Sequence, residues 1–215
     1  MKNLVFYRSL FTPPKVGKKN DRVIAHSSFR SCVPPDELKK RIIPVKMMIF
    51  DVDGVLTDGR VIYTDDGSEL KEFDAQDGHG IKLLQRAGIE VALISGRACR
   101  AVEHRALGLG ISRVYQGSIV KTNPYEELLA ETGLEEHETG YMGDDLIDIP
   151  VMRRAGFAVA VPNGAPHIFP YAHYITRASG GRGAAREVCE MILQAKGLWE
   201  NVMGRYLADP AKQTK

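Results

Sequence analysis

Two aspartates one residue apart, Asp51 and Asp53, close the apolar run 47–50 (MMIF), and Gly54 follows them. Ionised acids at the end of a buried run are unfavourable by several kcal/mol unless they are paired or bind a cation. Three more polar groups follow short apolar runs: Ser95-Gly96-Arg97, Lys121, and Gly143-Asp144-Asp145 with Asp148 close behind. Taken singly, each has an ordinary reading as a turn, a helix cap or a solvated side chain. Together they make a hard-oxygen donor set. The carboxylates of Asp51 and Asp144 with the backbone carbonyl of Asp53 suit Mg²⁺, which binds through one or two carboxylates plus substrate phosphate. The motifs contain no Cys or His, which disfavours zinc and copper. With Mg²⁺ and Lys121 screening an incoming phosphate, Asp51 can attack phosphorus and form an aspartyl-phosphate. Asp53 can protonate the leaving alcohol and then deprotonate the attacking water. Ser95 and loop N–H groups are expected to hold the phosphoryl oxygens, and Asp145 and Asp148 to orient Lys121 and the waters of the metal from behind.

For these residues to meet, the elements carrying them must share one edge of a sheet. Short apolar runs at 47–51, 90–95, 112–115, 139–143, 157–161 and 173–176 read as strands. They alternate with helical-period segments at 78–87, 97–107, 122–132, 145–155 and 182–196. This alternation predicts an α/β fold, a doubly wound, mainly parallel sheet with helices on both faces. The active site of such a sheet lies beyond the carboxyl ends of its strands. One segment departs from the pattern: in 60–74 (RVIYTDDGSELKEFD), two extended runs flank Asp65-Asp66-Gly67, the signal of a β-hairpin inserted after strand 1.

At 215 residues the chain has room for one domain with a sizeable core. No apolar run reaches the 18 or so residues of a membrane helix, so no membrane partner is expected. The formal charge of +2 is unevenly spread: residues 1–46 carry 11 Lys/Arg and 3 Asp/Glu, the remainder 18 and 24. The acidic body gives no argument for nucleic acid as a partner. Cys32, Cys99 and Cys189 are scattered without CxxC spacing, which fits reduced thiols in a cytoplasm. Residues 1–35, with Pro13-Pro14, Gly17 and Pro34-Pro35, are expected to form a disordered basic extension. Two readings of it stay open, an organelle-type leader and a start codon upstream of the true one. A short helix over 36–42 leads into a domain spanning 36–197. Residues 198–215 read as a weakly patterned tail whose Trp199 is a packing anchor.

The stretches DVDGVLTDG, LISGR, Lys121 and GDDLID resemble, in order, the four motifs of the haloacid dehalogenase superfamily of phosphotransferases. Further strings, QDGHGIKLL, YQG and HYITRASGGRGAAREVCEMIL, extend the resemblance over about residues 38–197 to its capless, sugar-phosphate-hydrolysing branch. The resemblance implies a Mg²⁺-dependent homotetramer in which hairpins pack together and a neighbour helps close the site. It implies hydrolysis of an eight-carbon acidic sugar phosphate to the free sugar acid and phosphate, in lipopolysaccharide precursor synthesis. Carried over by position, the substrate contacts fall on Asp53, Asp74, Ala75, Gln76, Asp77, Gly78, Lys82, Gly96, Arg97, Arg105 and Lys121, and residues 180–183 (GGRG) approach a neighbouring site. Arginine suits a substrate with phosphate and carboxylate, since it pairs with either in bidentate fashion. Gln76 departs from the family, which commonly has Arg there. Two alternatives remain: a phosphatase for a nine-carbon keto-deoxy sugar acid, and a phospho-accepting signalling domain. The second fits less well, because such domains lack the carboxylate two residues after the phosphorylated one.

Overall fold

The structure, a computed structural model, describes residues 31–207. Six strands form one sheet: β1 (Met47–Phe50), β4 (Glu90–Ile94), β5 (Arg113–Tyr115), β6 (Thr139–Gly143), β7 (Phe157–Ala160) and β8 (Tyr174–Ile175). Their order is β5-β4-β1-β6-β7-β8, and every adjacent pair is parallel. Parallel strands need crossovers, and helices supply most of them. α2 (Ala75–Arg86) leads into β4, α3 (Arg100–Leu109) into β5 and α4 (Thr122–Thr132) towards β6. α5 (Ile149–Met152) precedes β7, α6 (Ala184–Ala195) follows β8, and α1 (Pro35–Ile42) precedes β1.

Side chains alternate across a strand, so β1 feeds two cores. Met48 and Phe50 pack with Leu84, Leu93, Val188 and Ile192 under α2 and α6. Met47 and Ile49 pack with Tyr125, Leu128, Val151 and Met152 under α4 and α5. All four β1 side chains are fully buried. That explains the unbroken apolar run, which is the signature of a strand covered on both faces.

The insertion after β1 is a two-stranded antiparallel hairpin, β2 (Ile62–Tyr63) paired with β3 (Glu69–Leu70). Gly67 takes a φ of 83° in its turn, a conformation open to glycine. Helix α2 starts three residues before the predicted 78, because the Asp74 carboxylate caps it by accepting from the N–H groups of Gln76 and Asp77. The predicted helix over 145–155 is instead a short 3₁₀ turn, Leu146–Asp148, running into α5. Described structure continues on either side of residues 36–197. Cys32 N–H donates to the His173 carbonyl at 3.0 Å, and Ser31 bridges Tyr174, so residues just before α1 extend the sheet edge. The rest of the expected extension, 1–30, lies outside the described residues. In the predicted tail, Trp199–Leu207 form helix α7, with Trp199 against the α2/α6 core, and 208–215 lie outside the described residues.

His173, just before β8, is fastened by its ring. Its Nδ1 accepts from the Ala158 N–H at 2.9 Å, which requires the neutral ring. Burial, then the nearby Arg41 charge, pushes its pKa down from 6.5 to about 4. A depressed basic group binds its proton more readily in the unfolded chain, so its stabilisation is complete above pH 6.5 and is lost as the pH falls towards 4. His173→Asn offers a non-titrating acceptor in the same place. Urea unfolding of both proteins should show the wild type losing ground to the variant between about pH 7 and about pH 5. A difference independent of pH would rule out this role for the ring.

Candidate functional site

Strand β1 pairs with β4 on one side and β6 on the other, so the winding reverses direction there. Ligand sites of open parallel sheets form at such switch points. Phe50 sits in register with Leu93 and Met142, which brings the residues leaving the three strands together. Asp51 leaves β1, Ser95 leaves β4 and Asp144 leaves β6. With Asp53, Gly59, Gly96, Arg97, Asp145 and Ile147, Asp51 and Asp144 line a cleft of about 220 Å³.

At its floor lies a buried charge cluster. Lys121, the residue before α4, is about 1% exposed and points its Nζ at Asp51 Oδ2 (2.8 Å) and Asp148 Oδ1 (2.7 Å). Asp148 is fully engaged: Oδ1 also accepts from the Tyr141 hydroxyl at 2.6 Å, and Oδ2 accepts from the N–H groups of Asp144 and Asp145. Asp148 is therefore a brace, fixing Lys121 and the loop that presents Asp144. Asp145 is exposed and accepts from Leu146 N–H, with no contact to Lys121. Ser95 is buried, and its Oγ accepts from the Arg97 N–H at 3.3 Å.

Carboxylate oxygens of Asp51, Asp144 and Asp148 come within 4.8 Å of one another. Burial, then the charge of Asp148, pushes the Asp51 pKa up to about 7, against the pull of Lys121. Burial, then Asp51 and Asp148, pushes Asp144 up to about 8. Burial alone would lower Lys121, but Asp51 and Asp148 hold it above its ordinary value. One ammonium thus faces three carboxylates. The donor set is all hard oxygen, and with Asp148 already saturated, Asp51 and Asp144 are the two acids free to hold a divalent cation. Asp53 is not part of this cluster. Its side chain turns to Lys71 at the foot of the hairpin, and Arg97 Nε lies 3.9 Å from its Oδ2.

The loop carrying Asp51 and Asp53 is held by contacts that sequence inspection missed. A Cβ on Gly54, which has φ 82°, would lie 2.0 Å from Asp144 Oδ2, so only glycine lets the two loops meet. Asn163 donates to the Gly54 carbonyl at 3.0 Å and accepts from Gly180 N–H at 2.7 Å, and Gly181 N–H donates to the Val55 carbonyl. A Cβ on Gly180 would lie 1.7 Å from the Gly54 oxygen. Within their own chain, Gly180 and Gly181 thus buttress this loop. Nothing in the spacing of Asn163 signals its role, whereas paired glycines do signal close backbone approach.

The remaining expected contacts form a second group on α2 and α3, outside the cleft. Asp77 is buried and accepts from Gly183 and Arg186 N–H groups, capping α6. Arg105 donates to the Asp74 carbonyl at 2.7 Å and lies over the Phe73 ring, in space that Gly78 leaves open. Ala75 and Gln76 are exposed in the first turn of α2, and Lys82 Nζ lies beside Gly110 at the end of α3. A larger cleft of about 490 Å³ between α2 and α7, lined by residues including Arg86, Val202 and Arg205, holds no carboxylate and no nucleophile.

A parallel sheet with an aspartate pair, a buried lysine and a second aspartate at its switch point has the arrangement of a haloacid dehalogenase-like hydrolase. Residues 108–187 match the model of that family. The 3-deoxy-D-manno-octulosonate 8-phosphate phosphatase of Yersinia pestis is 44% identical over 176 residues, covering 81% of this chain and 94% of the relative. The crystal structure of the Moraxella catarrhalis phosphatase of that name, in complex with magnesium ion, phosphate ion and KDO, superposes with a TM-score of 0.79 at 39% identity, covering 80% of this chain and 99% of that one. A probable YrbI family phosphatase from Pseudomonas syringae gives a TM-score of 0.79 at 48% identity, covering 81% and 99%. The chain belongs to this family of phosphoric monoester hydrolases.

The raised carboxyl groups make a prediction about metal and pH. An acid with a raised folded pKa favours folding below its unfolded pKa, near 3.8, and that stabilisation is lost as the pH rises through about 7 for Asp51 and about 8 for Asp144. A divalent cation competes with those protons and relieves the repulsion. The gain in thermal midpoint on adding Mg²⁺ should therefore be larger at about pH 8.5 than at about pH 6, and Asp144→Asn should remove most of it. An equal gain at both pH values would place the cation elsewhere.

Proposed function

We infer that the protein is a Mg²⁺-dependent phosphatase that hydrolyses 3-deoxy-D-manno-octulosonate 8-phosphate to the free sugar acid and inorganic phosphate, in the cytoplasmic synthesis of lipopolysaccharide precursors. The observation that carries the reading is the Asp51 carboxylate at the switch point, 2.8 Å from the buried Lys121 ammonium and beside Asp144. The family membership and the ligands named for the Moraxella relative support the substrate and the metal.

Asp51, the backbone carbonyl of Asp53 and Asp144 would hold Mg²⁺. When bound, the ion neutralises phosphoryl charge that would otherwise repel the nucleophile. Lys121 keeps one Asp51 oxygen in place and adds positive charge at the floor of the cleft. The Ser95 hydroxyl and the N–H groups after β1 and β4 take the phosphoryl oxygens. An Asp51 oxygen attacks phosphorus and the bond from phosphorus to the sugar oxygen breaks. That oxygen takes the proton of Asp53 and leaves as an alcohol. The Asp53 carboxylate then accepts a proton from water as the water oxygen attacks the aspartyl-phosphate. The bond from Asp51 to phosphorus breaks, phosphate departs, and Asp53 is protonated again.

The reading includes a homotetramer. Val61, Ile62, Tyr63 and Leu70 leave the hairpin with exposed apolar side chains, the composition of a surface that another subunit covers. The exposed start of α2, with Ala75 and Gln76, would then face a neighbouring site, where it meets the sugar rather than the phosphate.

The test is phosphate release from the eight-carbon substrate, the nine-carbon keto-deoxy acid phosphate and common sugar phosphates, with and without Mg²⁺. Preference for the eight-carbon substrate, dependent on Mg²⁺ and abolished in Asp51→Asn, is expected. Asp53→Asn should slow turnover by about 10²–10⁴-fold. Normal turnover in Asp53→Asn would remove the acid/base assignment, and preference for the nine-carbon acid would change the substrate while keeping the chemistry.

A further inference from the structure

Asp53 must present one particular oxygen to the leaving group, yet it stands on a loop. The structure holds it from an unexpected direction. Lys71, between β3 and α2, has a side chain only 1% exposed although it belongs to a hairpin segment that is otherwise mostly open to solvent. Its ammonium bonds Asp53 Oδ1 and lies 2.8 Å from Glu69 Oε1. Glu69 in turn takes the Arg97 guanidinium at 2.8 Å, and Tyr63 OH accepts from the same nitrogen at 3.2 Å. The other Asp53 oxygen, Oδ2, is buried and has no hydrogen-bond partner among the described residues, and it is the oxygen nearest Arg97 on the cleft wall.

We propose that Lys71 is the positioning residue of the acid/base aspartate: it anchors Asp53 Oδ1 so that Oδ2 alone is free to give and take the proton. The proposal rests on the reading of Asp53 as the acid/base group. A buried carboxylate oxygen without a partner is unfavourable; Glu69 Oε1 also lacks a hydrogen bond but lies 2.8 Å from the Lys71 ammonium, so Asp53 Oδ2, on the cleft wall, is the oxygen kept for a partner that arrives later. In the first step the proton passes from Oδ2 to the sugar oxygen as the ester bond breaks, and in the second it passes from water back to Oδ2. Lys71 stays an ammonium throughout and keeps its bond to Oδ1. Glu69 shares that ammonium with Asp53 and takes Arg97 as well, so two cations and two anions balance, and the hairpin is tied to the cleft through the residue that aims the proton.

A substrate whose leaving group needs no proton separates this role from a general structural one. Acetyl phosphate and p-nitrophenyl phosphate release stable anions, whereas a sugar phosphate releases an alcohol. Lys71→Met should lower kcat for the sugar phosphate by about 10–100-fold, leave KM little changed, and lower kcat for the activated phosphates by less than about threefold. Lys71→Arg should recover part of the loss, and Asp53→Asn should show the same selectivity more strongly. Equal loss on both substrate classes in Lys71→Met, or no loss on either, would overturn the proposal. Should Lys71→Met fail to fold, as judged by circular dichroism and thermal midpoint, Lys71→Gln carries the same comparison. Failure of both to fold would make Lys71 a structural residue and end the proposal. If Asp53→Asn itself shows no selectivity, the acid/base reading is what has failed, and the role of Lys71 falls with it.

Discussion

Everything at the switch point depends on a shortage of positive charge. Three carboxylates share a largely buried pocket with one ammonium, and removing a charge from water is unfavourable by several kcal/mol unless a partner is fixed beside it. Lys121 offsets part of that by contacting Asp51 and Asp148 together. Asp148 settles its own share through Tyr141 and two backbone N–H groups. What remains uncompensated belongs to Asp51 and Asp144, the two acids of the cluster that line the cleft. A site left short of charge in this way selects for a cation and then for a phosphate that completes its coordination.

The fold exists to make that arrangement rigid. β1 is covered on both faces, paired on both edges and fully buried, so the residue that leaves it has little freedom. The loop beyond is fastened from the far end of the chain. Asn163, itself held by Gly180 N–H, donates to the Gly54 carbonyl and Gly181 N–H to the Val55 carbonyl, both from more than a hundred residues away in sequence. These contacts bury backbone groups that would otherwise lack partners, and they fix Asp51 and Asp53 to the same frame as Asp144. Placement of the reacting groups is thus a property of the whole sheet.

How far this could be read in advance follows from what each residue signals locally. Apolar runs ending on acids mark buried strands with a polar exit, so the six strands and the sheet edge shared by their terminal residues were visible from type and spacing. Helix bounds were less so. The cap by Asp74 pulled α2 earlier, and the reciprocal Asp145–Asp148 capping turned the expected helix at 145 into a 3₁₀ turn. In α7, Trp199, Val202 and Tyr206 do follow a helical spacing, but the segment is too short and polar to stand out. Lys71 was invisible for a different reason. A lysine among the charges of SELKEFD reads as solvated, and only the folding of the hairpin over the cleft turns it into a buried ion.

That last case shows why residues transferred by family position divide into two groups here. Asp51, Asp53, Gly96, Arg97 and Asp144 line one cleft, with Lys121 against Asp51, because they follow the neighbouring strands β1, β4 and β6. The residues from Asp74 to Gly78 and Arg105 answer to other demands inside the chain: Asp74 caps α2, Asp77 caps α6, and Gly78 makes room for Arg105. Their polar atoms are largely spent before any ligand arrives. The cluster around Asp51 is thus held within one chain, whereas the first turn of α2 and the apolar side chains of the hairpin, Val61, Ile62, Tyr63 and Leu70, are left exposed. Because the same hairpin segment carries Lys71 to Asp53, the way the hairpin folds over the cleft also fixes how Asp53 is held.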